Sequence, residues 1–302
     1  MNGRILLVLN PCAGQRRANR VLAEIIRTIL DGGYRCETFV TARRGDCTDY
    51  VAEHAKEFDR VICAGGDGTL NETIAGMLRA GAETPIGYIP CGTTNDFAAS
   101  LGLSTDIEQA AADAVGGVPS AFDVGAFGDR YFTYTASCGA FTKASYSTPQ
   151  SMKNLMGHLA YIFEGIKYLP SIRPTHLKIT TEAREIEDDF IFCSITNSTS
   201  VGGILKLNAE RVALNDGLFE VILVRRPLTA MQLSSIIHGV TTMDLPNEMI
   251  HFFTAREILV RSDVPVEWTL DGEHAEGGSE VMMRNLHSAV RIMLPKHAEE
   301  NT

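Results

Sequence analysis

The sequence predicts an α/β domain built on a parallel sheet, followed by a second, mainly antiparallel β domain. Three observations predict it. Over the first ~120 residues, short apolar runs alternate with segments of helical period. Each of those apolar runs ends in a polar or glycine-bearing loop, as strands of an open parallel sheet do where they face a ligand. After about Gly128 the texture changes to runs of period-two alternation, the mark of half-buried antiparallel strands. These boundaries give domains 1–127 and 128–294, with a polar tail, 295–302, that can return to the first domain.

Ile5 to Leu9 reads as the first strand, with Asn10-Pro11-Cys12-Ala13-Gly14 as the loop at its carboxyl end. A helix through Val21, Ile25, Ile26 and Ile29 follows and stops at Asp31-Gly32-Gly33. Tyr34 to Val40 is the second strand; it ends in Thr41-Ala42-Arg43-Arg44-Gly45-Asp46, where Asp46 can cap the next helix. Arg60 to Ala64 is the third strand, and Ile86 to Ile89 the fourth, ending in Pro90-Cys91-Gly92-Thr93-Thr94-Asn95-Asp96-Phe97. In the second domain the alternating runs are Tyr131 to Ser137, Phe190 to Thr196, Leu218 to Val224, Glu257 to Arg261, Val266 to Leu270 and Ala289 to Leu294. A long amphipathic segment, Met152 to Leu169, interrupts them and reads as a helix packed on the sheet.

The most informative stretch is Ala64-Gly65-Gly66-Asp67-Gly68-Thr69-Leu70-Asn71-Glu72, at a strand-to-helix junction. A helix N-terminus offers N–H donors and a positive dipole end, and glycines let an anion approach the backbone. Asp67 cannot hold a phosphate itself, because two anions repel; a divalent cation standing between them makes the carboxylate useful. Thr69 and Glu72 also fit a capping box, in which case the segment is a well-made helix start. It is neither a Rossmann fingerprint, since Asn71 stands where the last glycine is needed, nor a Walker A loop, since no Gly-Lys pair occurs in the chain.

Composition narrows the function. The chain has 302 residues, is 45% hydrophobic and carries a net charge of −10, which argues against a nucleic-acid partner and against strong attraction to anionic membranes. No apolar stretch approaches the roughly 20 residues of a spanning helix, and Met1-Asn2-Gly3-Arg4 runs into a strand rather than a signal peptide, so a cytoplasmic location is expected. Seven scattered cysteines without a C-x-x-C pair read as buried thiols rather than disulfides or zinc ligands.

Six elements in order then carry a resemblance: Asn10-Pro11-x-x-Gly14, Thr41 with Gly45-Asp46, the Gly65 to Glu72 loop, Gly92-Thr93-Thr94-Asn95-Asp96-Phe97-Ala98, Asn215-Asp216-Gly217 and Leu270-Asp271-Gly272-Glu273. Over nearly its whole length the chain resembles the diacylglycerol-kinase-type catalytic domains, which include bacterial lipid kinases and sphingosine kinases. The Gly-Gly-Asp-Gly-Thr element alone also looks like that of NAD kinases and phosphofructokinases. The resemblance implies an N-terminal nucleotide-binding α/β domain and a β-sandwich domain, with Mg-ATP in the cleft between them and a hydroxyl of diacylglycerol or a related long-chain lipid as acceptor. It implies ATP contacts at Asn10, Thr41, Gly65, Gly66, Asp67, Gly68, Thr69, Leu70, Asn71 and Thr94, with Asp67 near the Mg2+ that accompanies the phosphates. It implies a separate structural Mg2+ on Asp216 and the backbone oxygens of Ala213 and Leu218, and Glu273 as the catalytic base. By themselves Asn215-Asp216-Gly217 and Asp271-Gly272-Glu273 are also ordinary tight turns. Transient membrane contact follows from a lipid acceptor, and exposed sheet edges could pair in a homodimer. Two other functions stay open at this point: a kinase of a soluble acceptor such as NAD, and a catalytically silent nucleotide-binding regulator.

Overall fold

The computed structural model describes residues 3–14, 17–93, 95–139, 173–198, 200–201, 205–206, 214–242 and 245–296. In chain order the first elements are β1 (Arg4–Leu9), α1 (Arg17–Asp31), β2 (Arg35–Val40), α2 (Asp46–His54), β3 (Arg60–Gly65), α3 (Asp67–Ala80), β4 (Ile86–Pro90), α4 (Asp96–Ser100), α5 (Ile107–Gly116) and β5 (Val118–Phe127). They are followed by β6 (Arg130–Phe132), β7 (Thr135–Gly139), β8 (Thr175–Thr181), β9 (Glu185–Thr196), β10 (Ser200–Val201), β11 (Leu205–Lys206) and β12 (Phe219–Arg225). The last are α6 (Ala230–Thr242), β13 (Ile250–Ala255), β14 (Glu257–Ser262), β15 (Glu267–Leu270), β16 (Glu273–Glu276) and β17 (Glu280–Leu294). The chain divides into two compact units, Met1–Asp123 with His287–Thr302, and Val124–Leu286.

In the first unit the strands pair in parallel in the order β2-β1-β3-β4-β17. The continuous apolar runs of β1, β3 and β4 follow from cover on both faces. Ile5, Leu7 and Leu9 pack with Ile25 and Ile29 of α1 and Ala110, Ala111 and Ala114 of α5. Val61 and Cys63 are likewise fully buried, Cys63 beside Cys47 of α2 and Thr73 of α3. Registers decide what lies at the carboxyl ends: Leu9 pairs with Val40 and with Ala64, and Ala64 with Ile89. Four loops therefore leave the sheet at one level. The order places β1 between β2 and β3, so the chain's direction of travel across the sheet reverses there; crevices beside such a reversal are where open α/β sheets hold ligands.

In the second unit antiparallel strands run β16-β15-β7-β9, and β8-β14-β17 continue from β9, whose second half also pairs with β12, and β12 with β13. Its core gathers Phe132, Phe190, Phe219, Trp268, Ile179, Ile195 and Val260, with the Phe132 and Phe219 rings stacked at 5.5 Å and Phe127 edge-on to Trp268 at 5.5 Å. The architecture expected from the sequence, a parallel α/β domain and a β-sandwich domain, is the one found.

Three expectations change in detail. Tyr131 to Ser137 is not one strand: β6 ends at Phe132 and β7 begins at Thr135, because the amides of Thr133, Tyr134 and Thr135 all donate to the Asp271 carboxylate instead of a neighbouring strand. Ala289 to Leu294 is the end of the much longer β17. Asp46 does not cap α2; Gly45 is the N-cap, and the Asp46 carboxylate accepts from the amides of Ala42 and Arg43, closing the turn before the helix. The segment Met152 to Leu169 and the tail beyond Lys296 lie outside the described residues.

Candidate active site

Asn10 follows β1, and its two amide ends are spent differently. Its Oδ1 accepts from the Cys12 amide at 3.0 Å, closing its own loop, while its Nδ2 donates to Thr69 Oγ1 at 3.0 Å, tying that loop to α3. Thr41 follows β2 and donates both its amide (3.0 Å) and its hydroxyl (3.4 Å) to the Leu9 carbonyl, directly before Asn10. Gly65 is the last residue of β3 and its carbonyl accepts from the Cys91 amide at 2.7 Å, which brings in the loop after β4.

Close packing of these loops is what requires glycine. A Cβ on Gly92 would lie 2.6 Å from the Gly66 Cα, and one on Gly14 would lie 2.0 Å from the Cys91 carbonyl oxygen, with Gly14 also at φ +53°. Three loops from different strands thus meet backbone to backbone, at the first turn of α3.

Gly66 is the N-cap of α3, Asp67 opens the helix, and no side chain caps it. The capping-box alternative is therefore not what the structure shows. Thr69 spends its hydroxyl on Asn10, and Glu72 reaches out of the helix to accept from the Gly45 amide at 3.0 Å, while its carbonyl accepts from Thr48 Oγ1 at 3.1 Å. Both side chains organise neighbouring loops instead of their own helix. Gly68 is exposed; Thr69 is buried and the Leu70 side chain fully so, in the core, which leaves Leu70 only its backbone for a ligand; Asn71 is half-buried.

Asp67 is half-buried, with Oδ2 accepting from the Asp96 amide at 3.1 Å and Oδ1 from the Phe97 amide at 3.2 Å. Burial raises its carboxyl above the ordinary value, against the opposing pull of those two amides. The amides of Asp67 itself and Asn95 also pull on this carboxylate, so it sits among backbone donors at the start of α3. Thr94, in the same loop, lies outside the described residues.

The remaining expected site residues belong to the second unit. Asp216 is exposed and its Oδ1 accepts from the Leu218 amide at 2.9 Å, an Asx turn before β12. The Leu218 carbonyl accepts from Asn285 Nδ2 at 3.0 Å, and the Asn285 Oδ1 is buried without a hydrogen-bond partner. Asp216 and Leu218 offer only oxygen donors, the set a hard divalent ion takes; Ala213 lies outside the described residues. Among the described residues no three His, Cys, Asp or Glu side chains group as a metal cluster.

Glu273 is the first residue of β16, exposed, and paired with Leu270 across a two-residue turn. Asp271 (φ +48°) and Gly272 (φ +84°) both take the left-handed conformation of a tight primed hairpin turn. The ordinary-turn reading of Asp271-Gly272-Glu273 is thus correct as geometry, and it puts Glu273 at the turn's rim. No local signal in the sequence marks what the Asp271 side chain binds, since its partners lie 136 to 138 residues away.

Residues 4–127 match the diacylglycerol kinase catalytic domain, and residues 136–294 match the YegS C-terminal NAD kinase beta sandwich-like domain. Together they define a kinase of the α/β-plus-sandwich class. A diacylglycerol kinase of Bacillus subtilis (strain 168) is 33% identical over 98% of this chain and 98% of its own. One of Staphylococcus epidermidis is 30% identical over 98% and 93%. A crystal structure of a diacylglycerol kinase from Bacillus anthracis str. Sterne shares the fold, with a TM-score of 0.74 at 21% identity over 97% of this chain and 98% of the other. The chain belongs to the diacylglycerol kinase family and is a lipid kinase.

Proposed function

We propose that the chain transfers the γ-phosphoryl group of ATP to a hydroxyl of diacylglycerol or a closely related long-chain lipid. The observation that carries this reading is the meeting of the β1, β3 and β4 loops at the start of α3, beside the reversal of strand order. Asn10, Thr41, the Gly65 to Asn71 backbone and Thr94 would hold the nucleotide. The oxygen donors at Ala213, Asp216 and Leu218 would hold a second, structural Mg2+, and Asp67 would hold the ion that travels with the phosphates. Bound there, the cation would neutralise phosphate charge that Asp67 alone would repel.

The chemistry left to the protein is positioning and one proton transfer. Glu273 accepts the proton of the lipid hydroxyl as its oxygen bonds to the γ-phosphorus, and the bond from that phosphorus to the β–γ bridging oxygen breaks to release ADP. The substrate would come from a membrane, touched transiently, and no helix among the described residues is long and apolar enough to cross one.

The test is transfer of label from γ-labelled ATP with Mg2+ into organic-extractable product, offering diacylglycerol, monoacylglycerol, ceramide and sphingoid base in detergent micelles. Label in diacylglycerol or another of these lipids is expected, and Glu273→Gln should cut turnover by about 100-fold or more. No lipid labelled while nucleotide binding persists would overturn the acceptor assignment; turnover of Glu273→Gln within a factor of a few would overturn the base.

A further inference from the structure

Glu273 stands on a two-residue turn, and two residues cannot by themselves hold a side chain to the tolerance that proton transfer needs. What holds this turn is the carboxylate just before it in the chain. Asp271 Oδ2 accepts from the Thr133 amide at 2.6 Å and from Thr133 Oγ1 at 2.8 Å; Oδ1 accepts from the Tyr134 and Thr135 amides, both at 3.0 Å. The Asp271 amide in turn donates to the Thr135 carbonyl at 2.9 Å. Four donors converge on one carboxylate, three of them consecutive backbone amides, a concave anion nest filled by the protein's own side chain.

This nest has a cost that the fold alone does not explain. It interrupts what the sequence offers as a continuous strand, splitting β6 from β7, and it buries a carboxylate whose proton affinity burial raises against the pull of its donors. A hairpin turn needs none of this: Asp-Gly closes a primed turn unaided. The far strand of the hairpin is held separately, by Arg130 Nη1 donating to the His274 carbonyl at 3.2 Å, the residue after Glu273. Both flanks of Glu273 are thus anchored to the segment 130–135.

We infer that Asp271, seated in the amide nest of Thr133, Tyr134 and Thr135, is the positioning residue that fixes the catalytic carboxylate of Glu273. The inference rests on the reading of Glu273 as base. Its carboxylate is taken up by the donors of Thr133, Tyr134 and Thr135, so it acts by setting where the β15–β16 turn, and with it the Glu273 backbone, can go.

The test is a double-mutant cycle on steady-state turnover of diacylglycerol micelles with Mg-ATP. Asp271→Asn keeps a residue that tolerates the left-handed turn but presents an amide NH2 to two of the four donors. Turnover should fall about 10- to 100-fold, as for a reacting group displaced by about 1 Å, with KM for Mg-ATP changed less than about twofold. In a Glu273→Gln background the same substitution should cost less than about threefold, because the group it positions is already gone. Thr133→Val, which removes one donor and leaves the turn intact, should show a smaller loss of the same kind, and Thr133→Ser should recover most of it. The sole tryptophan, Trp268, lies in β15 three residues before Asp271, so its fluorescence reports whether each variant's second unit is folded at the assay temperature. If folded Asp271→Asn or Thr133→Val turns over at the wild-type rate, or if the Asp271→Asn loss is undiminished in Glu273→Gln, the positioning role is wrong. If Glu273→Gln is itself active, the reading of the base fails instead, and the two failures are distinct.

Discussion

Replacing Thr69 by valine removes one oxygen and almost no volume, which makes it the sharpest probe of how the loops are joined. Thr69 is 6% exposed, and its hydroxyl is the acceptor for Asn10 Nδ2 at 3.0 Å. Its backbone contacts survive the change: its amide donates to Gly66, and its carbonyl accepts from Thr73 Oγ1 at 2.8 Å. The loss is therefore one side-chain hydrogen bond of about 1 kcal/mol plus part of the desolvation of an amide left without its acceptor, in all about 1–2 kcal/mol. For a unit of this size that is a fall in unfolding midpoint of about 3–8 °C, followed by far-UV circular dichroism. Asn10→Ala should cost a similar amount, and the double variant about 1 kcal/mol less than the sum. If Asn10 holds the nucleotide as proposed, the rise in midpoint on adding Mg-ATP should shrink in Thr69→Val, since Asn10 is no longer fixed by Thr69. If Thr69→Val lies within 0.5 kcal/mol of wild type, or the cycle is additive, Asn10 and Thr69 do not join the two loops in solution.

Native thiol reactivity should single out Cys12, which is exposed, ahead of half-buried Cys36. Cys47, pushed up to about 12 by burial, and Cys63 and Cys193, both raised well above the ordinary thiol, should wait for denaturant; rapid labelling of Cys47 at pH 8 would contradict the packing of α2 on α3. The raised Asp67 carboxyl has a definite consequence for pH. The folded chain keeps that proton to higher pH than the unfolded chain, so the group favours folding at low pH and the benefit is lost as pH rises through its folded value. Above that value the buried carboxylate favours a bound cation, so the Mg2+-dependent part of ATP affinity should decline on acidification earlier than an ordinary carboxylate would allow, and Asp67→Asn should abolish that decline; an unchanged profile in the variant would exclude Asp67 as its source.

The parallel unit was legible because its physics is local. Apolar runs such as Leu6 to Leu9 report strands covered on both faces, and the glycines after them report turns. The sites at Asn10, Thr41 and Gly65 to Asn71 could be seen as loops at strand ends for the same reason, and registers then bring them level. What stayed hidden was which partner each polar side chain takes. Thr69 and Glu72 have the spacing of a capping box, yet each finds a better-placed partner on another loop, Asn10 and Gly45, once the sheet has formed. The break between β6 and β7 was invisible because it is imposed by Asp271, far along the chain. Strand β8 does alternate, with Leu177 and Ile179 buried between His176, Lys178 and Thr180, but two apolar residues make too short a run to stand out, and its other face is held by ion pairs to β9 that only the paired strands reveal.

The fifth strand of the first unit's sheet comes from the end of β17, where Ile292 pairs with Ile86 of β4. During synthesis that strand is made only after the whole second unit. Roughly 160 residues separate it from the rest of its unit, and at about 5–20 residues per second they take about 8–30 seconds to appear. For that interval β4, apolar along its whole length, has an open edge, the kind of surface that recruits other nascent chains. The unit that carries the β1, β3 and β4 loops is thus closed only after the second unit has been made, and a fragment cut after β5 would keep that edge for good.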